Sequence, residues 1–165
     1  MNLRIVCFED NPGDLRRLER LFRQTRLGGA KYVVDFLFYR DPDSDWDITA
    51  RRAAEIRAFG PDFAIVDLIS ERHDAPDGMR VIRQLKESEE TGKIPIVVWS
   101  VALKNDSTGQ DYARRIREMG AVPILKNRKN LPPPERFIRA SGRKSLLINA
   151  MVSDGKQIQG RRSGA

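Results

Sequence analysis

The stretch Pro61–Leu68, PDFAIVDL, decides the fold of this chain. It is a short apolar run with β-branched members, and helix-like segments flank it on both sides. Such a run is typical of a fully buried strand in a parallel sheet. Asp67 stands at its carboxyl end, where open α/β sheets bind their ligands. An isolated Asp at this position more often ends a strand and caps the next loop, so the other strands must decide between the two interpretations.

Four further apolar runs predict strands, and segments with helical periodicity alternate with them. This alternation predicts an α/β fold with one parallel sheet and helices on both faces. We expect a flavodoxin-like, doubly wound sheet of five strands in the order 2-1-3-4-5, one of the two common orders. The other four predicted strands are Leu3–Phe8, Tyr32–Phe38, Ile96–Trp99 and Val122–Leu125.

The helices are predicted from periodicity and from their capping residues. A first helix begins at Pro12, because Asn11 can accept hydrogen bonds from its first amides and Asp14 favours the positive end of its dipole. Asp47 is available to cap the second helix. The other predicted helices are Ala50–Phe59, Met79–Lys86 and Asn105–Met119.

Polar groups follow four of the five predicted strands. Parallel strands joined by right-handed connections present all their carboxyl ends at one edge of the sheet. In the expected order the first and third strands are neighbours, so Asp10 and Asp67 would face each other across one gap. Lys126 would lie about 10 Å away, two strand spacings, which a lysine side chain can largely span. The groups at this edge are Glu9 and Asp10, then Asp67, then Ser100, then Lys126.

Carboxylates this close together repel one another unless a cation joins them. Mg²⁺ suits such a site, because it uses one or two protein carboxylates and binds phosphate oxygens. Asp67 is the central carboxylate and therefore the natural nucleophile for phosphoryl transfer, which would form an acyl phosphate. Ser100 and Lys126 would neutralise and orient the oxygens of the transferred group.

In this order, the motifs FEDNPGDL, PDFAIVDL, DG before a helix, IPIVVWS and ILK resemble the receiver domain of two-component response regulators. The opener EDNPGD is similar to single-domain receivers that serve histidine kinases. The resemblance covers residues 3–126. It implies that Asp67 is the phosphoacceptor, that Asp10 and Asp67 bind Mg²⁺ directly and that Glu9 acts through water. It also implies roles for the backbone carbonyl of Ile69 as a metal ligand, Ser100 as the switch hydroxyl and Lys126 as the phosphate partner.

The sequence departs from the receiver pattern in the half of the site that gives the output. The loop 69–78, ISERHDAPDG, is about three residues longer than usual for such receivers. Pro123 stands where these domains commonly have an aromatic switch residue, and Asn127 replaces the usual Pro after Lys126. We therefore predict phosphorylation of Asp67 without the usual readout.

The charge is concentrated at the C-terminal end. The chain has 165 residues and a net charge of +7, and residues 126–165 contain ten Lys and Arg against Glu135 and Asp154. We predict a receiver-like core at 1–126, an atypical fifth-helix region at 127–152 that Ser141-Gly142 breaks or bends, and a disordered basic tail at 153–165. No aromatic residue after Phe137 offers a stacking platform for a base, which argues against nucleic acid.

The expected function is that of a phosphoacceptor in two-component signal transduction, not a classical enzyme. Its partners would be a histidine kinase or phosphotransfer protein and an output protein, with a homodimer left open. No stretch is long and apolar enough for a membrane span or a signal peptide, so a cytoplasmic protein is expected. Two alternatives remain: a binding module with phosphorylation-independent output, and a nucleic-acid binder that uses its basic tail.

Overall fold

A five-stranded parallel sheet forms the centre of the computed structural model, which describes residues 2–24, 26–27, 30–31, 33–69, 77–127 and 132–142. Its order confirms the predicted arrangement 2-1-3-4-5. A separate antiparallel pair joins Arg26–Leu27 to Ala30–Lys31. The strands of the main sheet are β1 (Asn2–Phe8), β2 (Val33–Tyr39), β3 (Phe63–Val66), β4 (Ile96–Ser100) and β5 (Val122–Leu125).

Helices connect these strands, as each parallel crossover requires. The second helix has the predicted bounds, whereas the third begins two residues earlier than predicted and the fourth two residues later. The helices of the described chain are α1 (Pro12–Gln24), α2 (Ala50–Phe59), α3 (Asp77–Glu87), α4 (Ser107–Glu118) and α5 (Pro134–Ala140). None of them has the length and apolar character that a bilayer crossing needs.

The sheet buries both of its faces. Alternate residues of a strand point to opposite faces, so each strand contributes to two separate cores. One core packs the sheet against α1 and α5, and it includes Ile65, Trp99 and Phe137. The other packs it against α2, α3 and α4, and it includes Val66 and Val98. The near-continuous apolar runs of the sequence are explained by this double burial.

The cap of the first helix is as predicted, and the cap of the second is not. The Oδ1 atom of Asn11 accepts hydrogen bonds from the amides of Gly13 (2.8 Å) and Asp14 (3.0 Å). At α2 the cap is Thr49, whose side chain accepts from the amide of Arg52. The prediction of Asp47 as the cap is wrong, since its carboxylate accepts instead from the side chain of Gln84 at 2.8 Å.

The N-terminus of α3 lies directly against the backbone that follows β3. The amide of Gly78 donates to the carbonyl of Leu68 at 3.0 Å. A Cβ atom at Gly78 would overlap the carbonyl oxygen of Asp67 and would lie 2.7 Å from the Cα of Leu68. Only glycine fits this contact, which fixes the position of α3 relative to Asp67.

The fifth helix is short. It ends at Ser141-Gly142, where Gly142 has a positive φ of 74°. The described part of the helix thus ends at the two residues where a break or bend is predicted. The predictions for residues 143–165, including the basic tail, lie outside the described residues.

Candidate functional site

The ammonium group of Lys126 is the centre of a buried charge cluster at the carboxyl edge of the sheet. Its Nζ atom lies 2.5 Å from Oδ2 of Asp67, 2.6 Å from Oε2 of Glu9 and 3.2 Å from Oδ2 of Asp14. All four side chains are at most 5% exposed. The predicted convergence of Glu9, Asp67 and Lys126 at one edge is therefore observed.

Backbone register explains why these side chains meet. Phe8 and Val66, the last residues of β1 and β3, are register partners, and the amide of Asp67 donates to the carbonyl of Phe8 at 2.9 Å. Lys126 follows β5, and its amide donates to the carbonyl of Ser100 at 2.9 Å. Residues two apart share a face of a strand, so the extended chain directs Asp67 to the face of Ile65, on the α1 and α5 side.

The carboxylate of Glu9 makes two hydrogen bonds. Its Oε1 atom accepts from the amide of Asn11 at 3.0 Å, and its Oε2 atom accepts from Lys126. The amide of Glu9 donates to the carbonyl of Tyr39, at the end of β2, at 3.2 Å. Glu9 thus holds the end of β1 and the start of α1 in a fixed relation to Lys126.

Burial and charge act in opposite directions on the groups of this cluster. Burial and, secondarily, the negative charge of Asp67 raise the pKa of Glu9 to about 8, although Lys126 lowers it. For Lys126, burial lowers the pKa, but Asp67 and Glu9 outweigh it and raise the pKa above its ordinary value. The neighbouring carboxylates therefore favour the charged form of Lys126, whereas burial favours the protonated form of Glu9.

Trp99 forms one wall of the cluster. The Nζ atom of Lys126 lies 4.6 Å from the centroid of the indole ring, which is within the range of a cation–π interaction. Trp99 is fully buried in β4, and its register partner in β5 is Ile124. Lys126, two residues after Ile124, lies on the same face.

The remaining predicted site residues lie at the same edge. Asp10 follows Glu9 and is half-buried. Ser100 ends β4 and is fully buried, and its Oγ atom accepts from the amide of Ala102 at 3.2 Å. The amide of Ile69 donates to Oδ1 of Asp67 at 3.4 Å. Ile69 is the last described residue before the loop segment 70–76, so the predicted role of its carbonyl stays a prediction.

Sequence reasoning missed Asp14 and Trp99 as members of the site. Asp14 had a simpler explanation as a carboxylate at the start of a helix. The signal was its position in the first turn of α1, where its amide donates to Oδ1 of Asn11 at 3.0 Å. From the sequence, Trp99 is expected to be an ordinary core residue, because it belongs to an apolar strand and comes just before the strand's polar end.

The donor set suits a hard divalent cation. Within the described residues, no three His, Cys, Asp or Glu side chains form a ready metal-binding group. However, in the part of the chain that the structure describes, Glu9, Asp67 and Asp14 all lie around the ammonium group of Lys126, so these carboxylates outnumber that described cation. Oxygen ligands with excess negative charge are what Mg²⁺ prefers. Asp10 and Asp67, at neighbouring strand ends, fit this role.

The structure was compared with known proteins. Neither protein-family models nor curated protein sequences match the chain. Solved structures do match. A response regulator receiver domain from Rhodospirillum rubrum is 21% identical with a TM-score of 0.58, and the match covers 90% of this chain and 95% of that one. The receiver domain of the sensor histidine kinase PA1611 from Pseudomonas aeruginosa PAO1, which has a magnesium ion in its active-site cleft, is 19% identical with a TM-score of 0.51, covering 86% and 99%. The phosphorylated cyanobacterial phytochrome response regulator RcpA is 19% identical with a TM-score of 0.52, covering 90% and 95%.

These matches define the class of fold. The chain is a flavodoxin-like α/β protein, and more particularly it has the fold of response regulator receiver domains. The fold predicted from the strand-end motifs is therefore confirmed.

Proposed function

We propose that this protein is a phosphoacceptor receiver of two-component signal transduction, with Asp67 as the acceptor. The observation that carries the proposal is the contact of Asp67 with Lys126, at 2.5 Å, beside Glu9 in one buried cluster. A lone Asp that merely ended a strand would have no need of a buried lysine from two strands away. The phosphorylated state of RcpA and the magnesium ion of the PA1611 domain support the same assignment.

In the proposed reaction, an oxygen of the Asp67 carboxylate attacks the phosphorus of a phosphohistidine on a histidine kinase or phosphotransfer protein. The new P–O bond forms as the P–N bond breaks, and the leaving imidazole keeps the bonding electrons and takes a proton from solvent. Lys126 already lies against the Asp67 carboxylate, so it can neutralise the charge of the incoming phosphoryl oxygens. Ser100, at the end of the strand between them, is the candidate hydroxyl for a further hydrogen bond.

Asp10 and Asp67 would hold Mg²⁺ directly, and Glu9 would support it through water. When bound, the metal would supply positive charge that neutralises the phosphoryl oxygens. The chain's own residues supply the rest: Gly78 and α3 fix the backbone after Asp67, and Lys126 holds its side chain. Output would then follow through contact with another protein.

The test is labelling with a small acyl phosphate and Mg²⁺, followed by intact mass measurement. We expect one phosphoryl group per chain, and none in Asp67→Asn. Asp62→Asn is the matched control, because Asp62 lies at the opposite end of the same strand, where it accepts from the amide of Arg4 at 2.9 Å. Equal labelling of Asp67→Asn and the wild type would refute the proposal.

A further inference from the structure

Trp99 also contacts the fifth helix. The rings of Trp99 and of Phe137 in α5 form an edge-to-face pair, with ring centroids 6.1 Å apart and an interplanar angle of 73°. Phe137 is fully buried, and it also contacts Phe22 of α1 at 5.6 Å. Trp99 therefore contacts both the ammonium of Lys126 and Phe137 of the fifth helix.

The position of Trp99 depends on packing and on this cation, and not on a hydrogen bond. In the described part of the chain, its buried Nε1–H group has no hydrogen-bond acceptor. The other tryptophan differs, since Nε1 of Trp46 donates to the carbonyl of Tyr39 at 3.1 Å. A buried donor without an acceptor is destabilising. The indole of Trp99 is thus less firmly held than that of Trp46, and a change in its partners can move it.

Phosphorylation would change those partners. The ammonium now binds a carboxylate oxygen of Asp67, whereas phosphoryl oxygens would extend beyond that carboxylate and carry more negative charge. Lys126 must follow them, which changes its distance from the indole ring. A cation–π interaction weakens as the cation leaves the ring, and it is strongest in a desolvated site such as this one.

Resting on the proposed function, we propose that Trp99 is a positioning residue for Lys126 and transmits the movement of that ammonium to α5 through Phe137. The segment affected is Pro134–Ala140, which precedes the basic C-terminal residues of the sequence. The path consists of three buried contacts: Asp67 to Lys126, Lys126 to Trp99, and Trp99 to Phe137.

The experiment uses the full chain and the phosphoryl mimic fluoroberyllate with Mg²⁺. In Trp46→Phe, the remaining tryptophan reports on Trp99 alone, and we expect its emission to change when fluoroberyllate binds. In Trp99→Phe, the emission of the remaining Trp46 should change less when fluoroberyllate binds. Hydrogen exchange of a peptide covering residues 132–142 should change by roughly threefold to thirtyfold in the wild type, the range between an exposed and a desolvated cation–π contact.

Two variants separate the steps of the path. Phe137→Leu keeps the contact of Lys126 with Trp99, so the emission change should persist while the exchange response of α5 is lost. Trp99→Leu should lose the exchange response, and Trp99→Phe, which keeps an aromatic face, should restore part of it. If Trp99→Leu is too unstable to study, Phe137→Leu alone tests the transmission from Trp99 to α5.

Fluorine NMR of bound fluoroberyllate and labelling of Asp67 are measured in the same samples. Normal binding and labelling with no change at Trp99 or in α5 would overturn this inference and leave the proposed function intact. An α5 response that persists in Trp99→Leu would overturn it as well. Absence of both binding and labelling would overturn the proposed function and this inference with it.

Discussion

Replacement of Lys126 by methionine should reveal how strongly its buried ammonium holds the site together. The substitution keeps the length of the side chain and removes its charge. Glu9, Asp14 and Asp67 would then share a buried space without the cation that now lies 2.5–3.2 Å from each of them. Removal of one partner of a buried ion pair costs about 3–5 kcal/mol, because it leaves an uncompensated charge.

The loss should depend on pH. Without Lys126 the folded protein can relieve the repulsion only by binding protons, whereas the unfolded chain releases them at ordinary carboxyl pKa values. The folded state then binds more protons than the unfolded state near neutral pH, so the free energy of unfolding falls as pH rises. We expect Lys126→Met to be much less stable than the wild type at pH 8 and closer to it at pH 5.5.

Urea denaturation without divalent metal measures both effects, and Mg²⁺ is then added. Mg²⁺ should stabilise Lys126→Met more than the wild type, because the carboxylates have lost the ammonium that competes with the metal. Lys86→Met is the matched control: its Nζ atom donates to the carbonyls of Gly92 and Ile94, at 3.4 and 3.3 Å, and leaves no buried carboxylate behind. We expect this control to lose about 1 kcal/mol. Equal losses in the two variants, or a loss in Lys126→Met that does not vary with pH, would refute the reasoning.

Two further predictions test the site from other directions. Burial raises the pKa of Glu9 from 4.5 to about 8, so the folded protein keeps a proton that the unfolded chain releases. Without divalent metal, the wild-type free energy of unfolding should therefore fall between about pH 4.5 and pH 8, by up to about 1.4 kcal/mol per pH unit, and Glu9→Gln should flatten this slope in urea denaturation. Parallel slopes for the two proteins would contradict this. Gly78→Ala and Gly109→Ala both place a Cβ against a backbone carbonyl, of Asp67 and Lys104 respectively, so both should lose about 1–3 kcal/mol in urea denaturation. Only Gly78→Ala should slow the labelling of Asp67, because only that clash displaces the acceptor's backbone, and equal labelling rates would count against the role of α3.

The sheet and the convergence of its strand ends could be predicted because they depend on signals that the sequence carries directly. Strands buried on both faces need continuous apolar runs, and Phe63–Val66 and Ile96–Ser100 are fully buried. The carboxyl ends of parallel strands must share one edge, so Asp67 and Lys126 had to lie at the same edge once the strand order was set.

The internal partners of the site were harder to predict, because they depend on which face each side chain takes. Glu9 binds Lys126 and the amide of Asn11, and neither contact was predicted from the sequence, whereas its action toward a metal through water stays a prediction. The prediction of Asp47 as a helix cap failed for a similar reason: its carboxylate accepts a hydrogen bond from Gln84, 37 residues further along the chain. The spacing of residues along the chain does not show which side chains of other helices or strands will bind the same group.

The charge balance of the cluster connects its stability with its proposed chemistry. Among the residues that the structure describes, the acidic side chains at this edge outnumber the buried ammonium of Lys126; they are Glu9, Asp10, Asp14 and Asp67. Burial of this negative charge destabilises the fold, and the pKa of Glu9 is raised first by burial and then by the charge of Asp67. A cluster that served only stability would be better replaced by apolar residues. The same excess favours any added cation, and it allows Lys126 to move from one anionic partner to another without leaving anionic surroundings. Phosphorylation of Asp67 would require that movement, and the ring of Trp99 lies where the movement can be transmitted to α5.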